Sequence, residues 1–219
     1  MGMLKTARKA GSVLIVAAVP QELRDFRVDG WRQVNCLVTG MGRQAGEVVR
    51  RRLSLGDVSL VVSTGFAGGL RPGFKVGDLV MASEVIQASS GDRSQPVSSY
   101  LSLSDKAQVG PFVTVDRVLT DPKAKTWAGN RFGAIAADME SAAVAQAATQ
   151  AGVAWVAMRA ILDPMESPLV IRSRAQALRM LAVPRRWKEF SGFLQTVRTA
   201  SRSLAVGLYD LIERRKRWI

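Results

Sequence analysis

Glu22, Glu140 and Asp163 are the residues of this 219-residue chain best placed to do chemistry. Each follows an apolar run within a few positions. Glu22 comes three residues after VLIVAAV (13–19), and Glu140 comes three after GAIAA (133–137), behind Asp138 and Met139. Asp163 directly follows VAWVAMRAIL (153–162). An acid in such a place is commonly a helix cap or a solvated loop residue. It becomes a useful acid or base near neutral pH when apolar surroundings penalise its charged form and raise its pKa. The chain has no histidine, which removes the commonest general base and the commonest metal ligand. Proton transfer must therefore rest on carboxylates, and no metal site is expected. Arg159, Ile161 and Asp163 share a face by the two-residue period of a strand, so a cation can reach the same place.

The elements that must position these acids are legible as apolar runs bounded by Gly, Pro and acids. The runs are 13–19, 34–39, 58–64, 78–86, 111–119, 133–137 and 153–162, and several are continuous rather than alternating, as strands covered on both faces are. Helical candidates lie between them at 21–27, 43–55, 122–130 and 140–150. The pattern predicts an α/β fold: a single domain with a central, mostly parallel mixed sheet flanked by helices. In a strand-helix-strand unit the two strands are parallel, so the residues after them share the carboxyl edge, where open α/β sheets bind ligands. The three acids are expected to converge there. The polar, Ser-rich stretch 88–110 is expected to be an exposed, mobile loop beside that site.

Length and charge bound the rest. The chain suits one sizeable core, divided here into an N-terminal extension (1–12), a main domain (13–170) and a basic helical C-terminal extension (171–219). The formal net charge is +13, and nine of those charges lie in the last 48 positions. In that segment Trp187, Phe190, Phe193, Leu194, Val197, Leu204, Leu208, Leu211 and Ile212 recur at helical spacing among Arg and Lys. A stripe of this kind either packs on the chain's own sheet or rests on an anionic bilayer through residues 185–219. With few aromatic residues and no recognised binding motif, nucleic acid is not an expected partner. The single cysteine, Cys36, reads as a buried strand residue, and a cytoplasmic location, with peripheral contact at the inner membrane face, is expected. No apolar stretch approaches the ~20 residues of a membrane span.

VLIVAAVPQELRDF, TGMGRQAG, STGFAGGLRPGFKVGDLV, ADMESAAVAQAA and VAMRAILD, in that order from Val13 to Asp163, resemble the nucleoside phosphorylase and methylthioadenosine/S-adenosylhomocysteine nucleosidase superfamily. The resemblance implies cleavage of an N-glycosidic bond by a dimer that needs no cofactor. Asp163 matches the family's general acid at the purine, and Glu22 the carboxylate that activates the nucleophile. Glu140 matches the acceptor for ribose hydroxyls, Met139 the residue packed on the sugar, and Arg159 a group that orients the acids or neutralises their repulsion. Gly65, Phe66, Val118 and Leu119 complete the expected substrate-binding set.

Departures from the pattern are informative. Phe66 stands where relatives often carry a small hydroxyl residue, Leu162 replaces a hydroxyl residue before the acid, and Val118 replaces an aromatic residue that stacks on the purine. The stretch from Ile86 to Pro111 is short, which opens the 5′ side to a large substituent. The DMES sequence, the Asp163–Pro164 pair and the basic tail most resemble the hopanoid-associated phosphorylases, whose implied reaction turns adenosylhopane into ribosylhopane. A futalosine- or methylthioadenosine-type nucleosidase and a non-catalytic nucleoside-binding member are the other readings. Water and phosphate both stay open as nucleophile, with Arg43, at a helix start, the candidate phosphate ligand.

Overall fold

A computed structural model describes residues 11–97, 107–166 and 187–216. In chain order they form β1 (Ser12–Ala17), a short 3-10 helix (Pro20–Leu23), β2 (Val34–Val38), α1 (Gln44–Leu53), β3 (Val58–Gly69), β4 (Leu79–Gln87) and β5 (Arg93–Ser94). Then come β6 (Ala107–Thr114), α2 (Pro122–Phe132), β7 (Ala136–Asp138), α3 (Ser141–Gln150), β8 (Ala154–Asp163) and α4 (Trp187–Lys216).

β2, β1, β3 and β8 pair in parallel, side by side. Two layers cover this sheet, which is why its runs are continuously apolar. Leu14, Val16, Val61, Trp155 and Ala157 face α1 and α3, where they meet Val49, Leu53, Val144 and Ala148. The alternate residues Val13, Ile15, Leu60, Val62, Val156 and Met158 face α4, through Leu208, Leu211 and Ile212.

The second half of the sheet departs from the open, parallel-edge expectation. β8 runs antiparallel to β4, β4 parallel to β6, β6 parallel to β7, and β7 antiparallel to β3, so the strands return to their start. Register shifts accompany this closure: Leu162 of β8 is an extra residue opposite Ala67 and Gly68 of β3, which turns Asp163 to the face opposite Ile161 and Arg159, and β4 carries an extra residue between Ala82 and Val85. An extra residue of that kind bends a strand and increases its twist. β7 and β8 therefore point in opposite directions, and the parallel-strand reason for the acids' convergence is incorrect. They converge because Gly68 pairs with Ala137 on one side and Asp163 on the other.

Other elements differ in extent. The helix expected at 21–27 shrinks to one 3-10 turn, and the strand expected at 111–119 runs from Ala107 to Thr114. The stretch read as a loop contains β5 and the start of β6, while 98–106 lie outside the described residues. Cys36 is exposed, because β2 is an edge strand with one neighbour.

α4 settles the alternative for much of the basic tail. Leu204, Leu208 and Leu211 have no exposed surface, so the apolar stripe packs on the sheet over the helix's second half. That is the packing outcome, not the bilayer one. In the first half Phe193 and Val197 are half-buried and Leu194 is exposed. The side chains of Trp187 and Phe190 lie outside the described residues. Among the described residues no helix is long and apolar enough to cross a membrane.

Candidate active site

Glu22, Glu140 and Asp163 line one cavity of about 220 Å³, together with Met139, Phe66, Val118 and Leu119. Its remaining walls are mostly apolar. Met41, at 59% exposure, and Val118, at 45%, stand at its open side.

Glu22 is held by backbone. β1 ends at Ala17, and the 3-10 turn brings the carboxylate back over the strand end. Oε2 accepts hydrogen bonds from the amides of Ala18 (2.7 Å) and Val19 (3.1 Å), and Oε1 from Phe66 (2.9 Å). Gly65 makes this approach possible: its φ is +149°, and a Cβ there would lie 2.6 Å from Glu22 Oε1. Gly65 thus serves as the seat of Glu22 rather than as a wall of the cavity. Burial raises the Glu22 pKa, against the lowering effect of the three amides and the Arg159 charge.

Glu140 immediately precedes α3, and its Oε1 accepts from the amide of Gly42 at 2.7 Å. Gly42, at φ +79°, lies in a turn conformation that favours glycine. Burial, then the Asp138 charge, pushes Glu140 up to about 7, against the Gly42 hydrogen bond and Arg159.

Arg159 lies behind the cavity. Only 1% exposed, it pairs with Asp138 at 2.7 Å and donates to Ser63 O (2.8 Å), Ser63 Oγ (2.9 Å), Met158 O (2.9 Å) and Ser141 Oγ (2.7 Å). Asp138 also accepts from Thr114 Oγ1 at 2.8 Å and from the Ser141 hydroxyl. Arg159 therefore acts on the site through its charge and does not line the cavity. Arg43 is also elsewhere. It pairs with exposed Asp116 at 3.2 Å and lines a neighbouring groove with Ser89 and Ser90.

Asp163 ends β8 against a partner the sequence reading missed. Lys125 is 1% exposed, and its Nζ lies 2.7 Å from Asp163 Oδ2. The same ammonium donates to the carbonyls of Asp163 (3.0 Å) and Pro164 (2.9 Å). α2 is well delimited, with Asp121 capping it, Pro122 at its start and Gly133 ending it at φ +64°. Lys125 and Ala128 form its buried side. The three-residue spacing of Lys125 and Ala128, which puts them on one helix face, was the available signal.

A family model described as "Phosphorylase superfamily" matches residues 19–105 and 97–205. A 5′-methylthioadenosine/S-adenosylhomocysteine nucleosidase from Geobacillus thermodenitrificans is 29% identical over 170 residues, covering 65% of this chain and 71% of the relative. Among solved structures, the S-adenosylhomocysteine nucleosidase of Streptococcus pyogenes, in complex with 5-methylthiotubericidin, superposes with a TM-score of 0.71 at 18% identity, covering 95% of this chain and 98% of that one. The Helicobacter pylori 5′-methylthioadenosine/S-adenosylhomocysteine nucleosidase gives 0.68 at 18% identity, covering 93% and 98%. At such identities these structures establish the fold, and the matched residues span every acid of the cavity. By its fold and by the match across most of its length, the chain belongs to the phosphorylase superfamily.

Proposed function

We propose that this protein hydrolyses the N-glycosidic bond of a 5′-substituted adenosine and releases adenine, with adenosylhopane, converted to ribosylhopane in hopanoid biosynthesis, as the favoured substrate. The observation that carries the reading is the convergence of Glu22, Glu140 and Asp163 on one apolar cavity. Glu22 adjoins Gly65 and Phe66, whereas Asp163 pairs with Gly68. Three positions along a strand span about 10 Å, room for a ribosyl group between the two acids.

In this reading Asp163 gives its proton to the purine as the C1′–N9 electron pair leaves with the base. Glu22, its basicity increased by burial, takes a proton from the attacking water. Glu140, its pKa pushed up to about 7 by burial and the Asp138 charge, accepts hydrogen bonds from the ribose hydroxyls, and Met139 packs on the ring. Water is favoured over phosphate for a specific reason. Among the described residues lining the cavity Lys125 is the one cation, and its hydrogen bonds go to Asp163 and two carbonyls. Arg43 is engaged outside.

Support for an apolar 5′ substituent comes from Phe66 and Leu162, which line the cavity and pack on a core cluster containing Ala200 and Leu204 of α4, and from the exposed apolar residue Met41 beside it. A second reading, a methylthioadenosine-type nucleosidase with a small substrate, is favoured by the 29% identity to the Geobacillus enzyme. Chromatography of adenine released from adenosylhopane and methylthioadenosine, with and without phosphate, separates the two. Phosphate-independent release from adenosylhopane, lost in Asp163→Asn, is expected. Release from methylthioadenosine alone selects the second reading, and no release from either sinks the favoured one and moves a futalosine-type nucleosidase, or a non-catalytic nucleoside-binding role, to the front.

A further inference from the structure

Lys125 is a buried cation that the reaction as described does not use. An ammonium at 1% exposure is costly unless every proton finds an acceptor, and here all three acceptors belong to Asp163 and Pro164: Oδ2 at 2.7 Å and the two carbonyls at 3.0 and 2.9 Å. This arrangement fixes the chain at the end of β8 and, through Oδ2, the rotation of the carboxyl group. The aliphatic stem passes beside Gly68, the β3 residue paired with Asp163.

We propose that Lys125 is a positioning residue for the general acid: it orients the Asp163 carboxyl and supplies the counter-charge for the carboxylate formed when the proton leaves. The inference rests on the adenine-releasing reading above. In the step concerned the O–H bond of Asp163 breaks, its proton joins a purine nitrogen, and the C1′–N9 electron pair stays with the base. The negative charge left on Asp163, a residue only 5% exposed, then lies 2.7 Å from the ammonium. An oriented ion of opposite charge is most effective where charge develops out of water.

The consequence is dependence on the leaving group. Lys125→Met is expected to lower kcat for adenine release about 100-fold, the lower end of what a general acid supplies, with KM within about threefold. Cleavage of a 4-nitrophenyl riboside, whose leaving group departs without a proton, is expected to change by less than about threefold. In an Asp163→Asn background Lys125→Met is expected to cause no further loss of adenine release, because it acts only through the residue already removed. Should Lys125→Met not fold, Lys125→Gln, which retains donors for the carbonyls but not the charge, is expected to give the same pattern. Equal loss on both substrates, or losses that multiply in the double variant, would overturn the proposal in favour of a purely structural lysine. Wild-type protein that releases no adenine would instead refute the underlying reading, so the two failures are distinguishable.

Discussion

Replacing Gly65 with alanine tests whether the backbone seat of Glu22 matters for catalysis. The new Cβ would lie 2.6 Å from Oε1, 2.9 Å from Cδ and 3.1 Å from Oε2 of Glu22. Neither side can yield freely, because the carboxylate is fixed by the amides of Ala18, Val19 and Phe66 and residue 65 belongs to the closed part of the sheet. The backbone contributes separately: φ of +149° is strained for an L side chain, at about 1–3 kcal/mol. For a protein of this size that corresponds to a fall in Tm of about 2–12 °C. Driving Glu22 off one amide removes a charge-assisted hydrogen bond worth about 1.5–3 kcal/mol, and the upper value corresponds to a rate loss on the order of 100-fold. Steady-state adenine release and differential scanning calorimetry on Gly65→Ala, Glu22→Gln and the double variant separate the two effects. Gly65→Ala is expected to lose kcat with little change in KM and to add little to Glu22→Gln. Wild-type kcat with only a lowered Tm would refute the reasoning, because it would show that the position of Glu22 over Gly65 is irrelevant to turnover.

Stability is expected to fall as pH rises through the Glu140 titration. The folded pKa is raised from 4.5 to about 7, so the folded state holds the proton more tightly; stability is greatest below about pH 4.5 and declines as pH climbs through 7. The fall is at most about 3 kcal/mol, then levels off. Urea unfolding at pH 5 and pH 8 should show this slope in the wild type and a reduced one in Glu140→Gln; equal slopes would contradict it. Leu204→Ala is expected to destabilise the fold by about 2–5 kcal/mol, since Leu204 is fully buried. A change below about 0.5 kcal/mol would show that α4 does not pack on the sheet in solution.

The sequence by itself determined the α/β class, most of the strands and the identity of the three acids. Each of these is a local property. A strand covered on both faces must be apolar throughout, so the runs at 13–19, 58–64 and 153–162 could be located, and an acid at the end of such a run is conspicuous. The apolar stripe of the tail was equally plain, but whether Leu204 and Leu208 met a bilayer or the sheet was not, because either partner would accept the same face.

Tertiary structure decided how the acids meet and what holds them. β7 and β8 run in opposite directions, so the parallel-edge rule gave the right neighbours for the wrong reason. Only the closure of the sheet through β4, β6 and β7 sets Ala137 and Asp163 on either side of Gly68. The two-residue period predicted that Arg159 shares a strand face with Asp163, but the extra residue Leu162 between Ile161 and Asp163 breaks that period, and the Arg159 guanidinium turns to Asp138. Lys125 is 38 positions before Asp163, on a helix that also carries Lys123 and whose sequence does not say which lysine is buried. Its partner could be named only once β3, β8 and α2 had been brought together, because a buried charge chooses its partner by proximity in space.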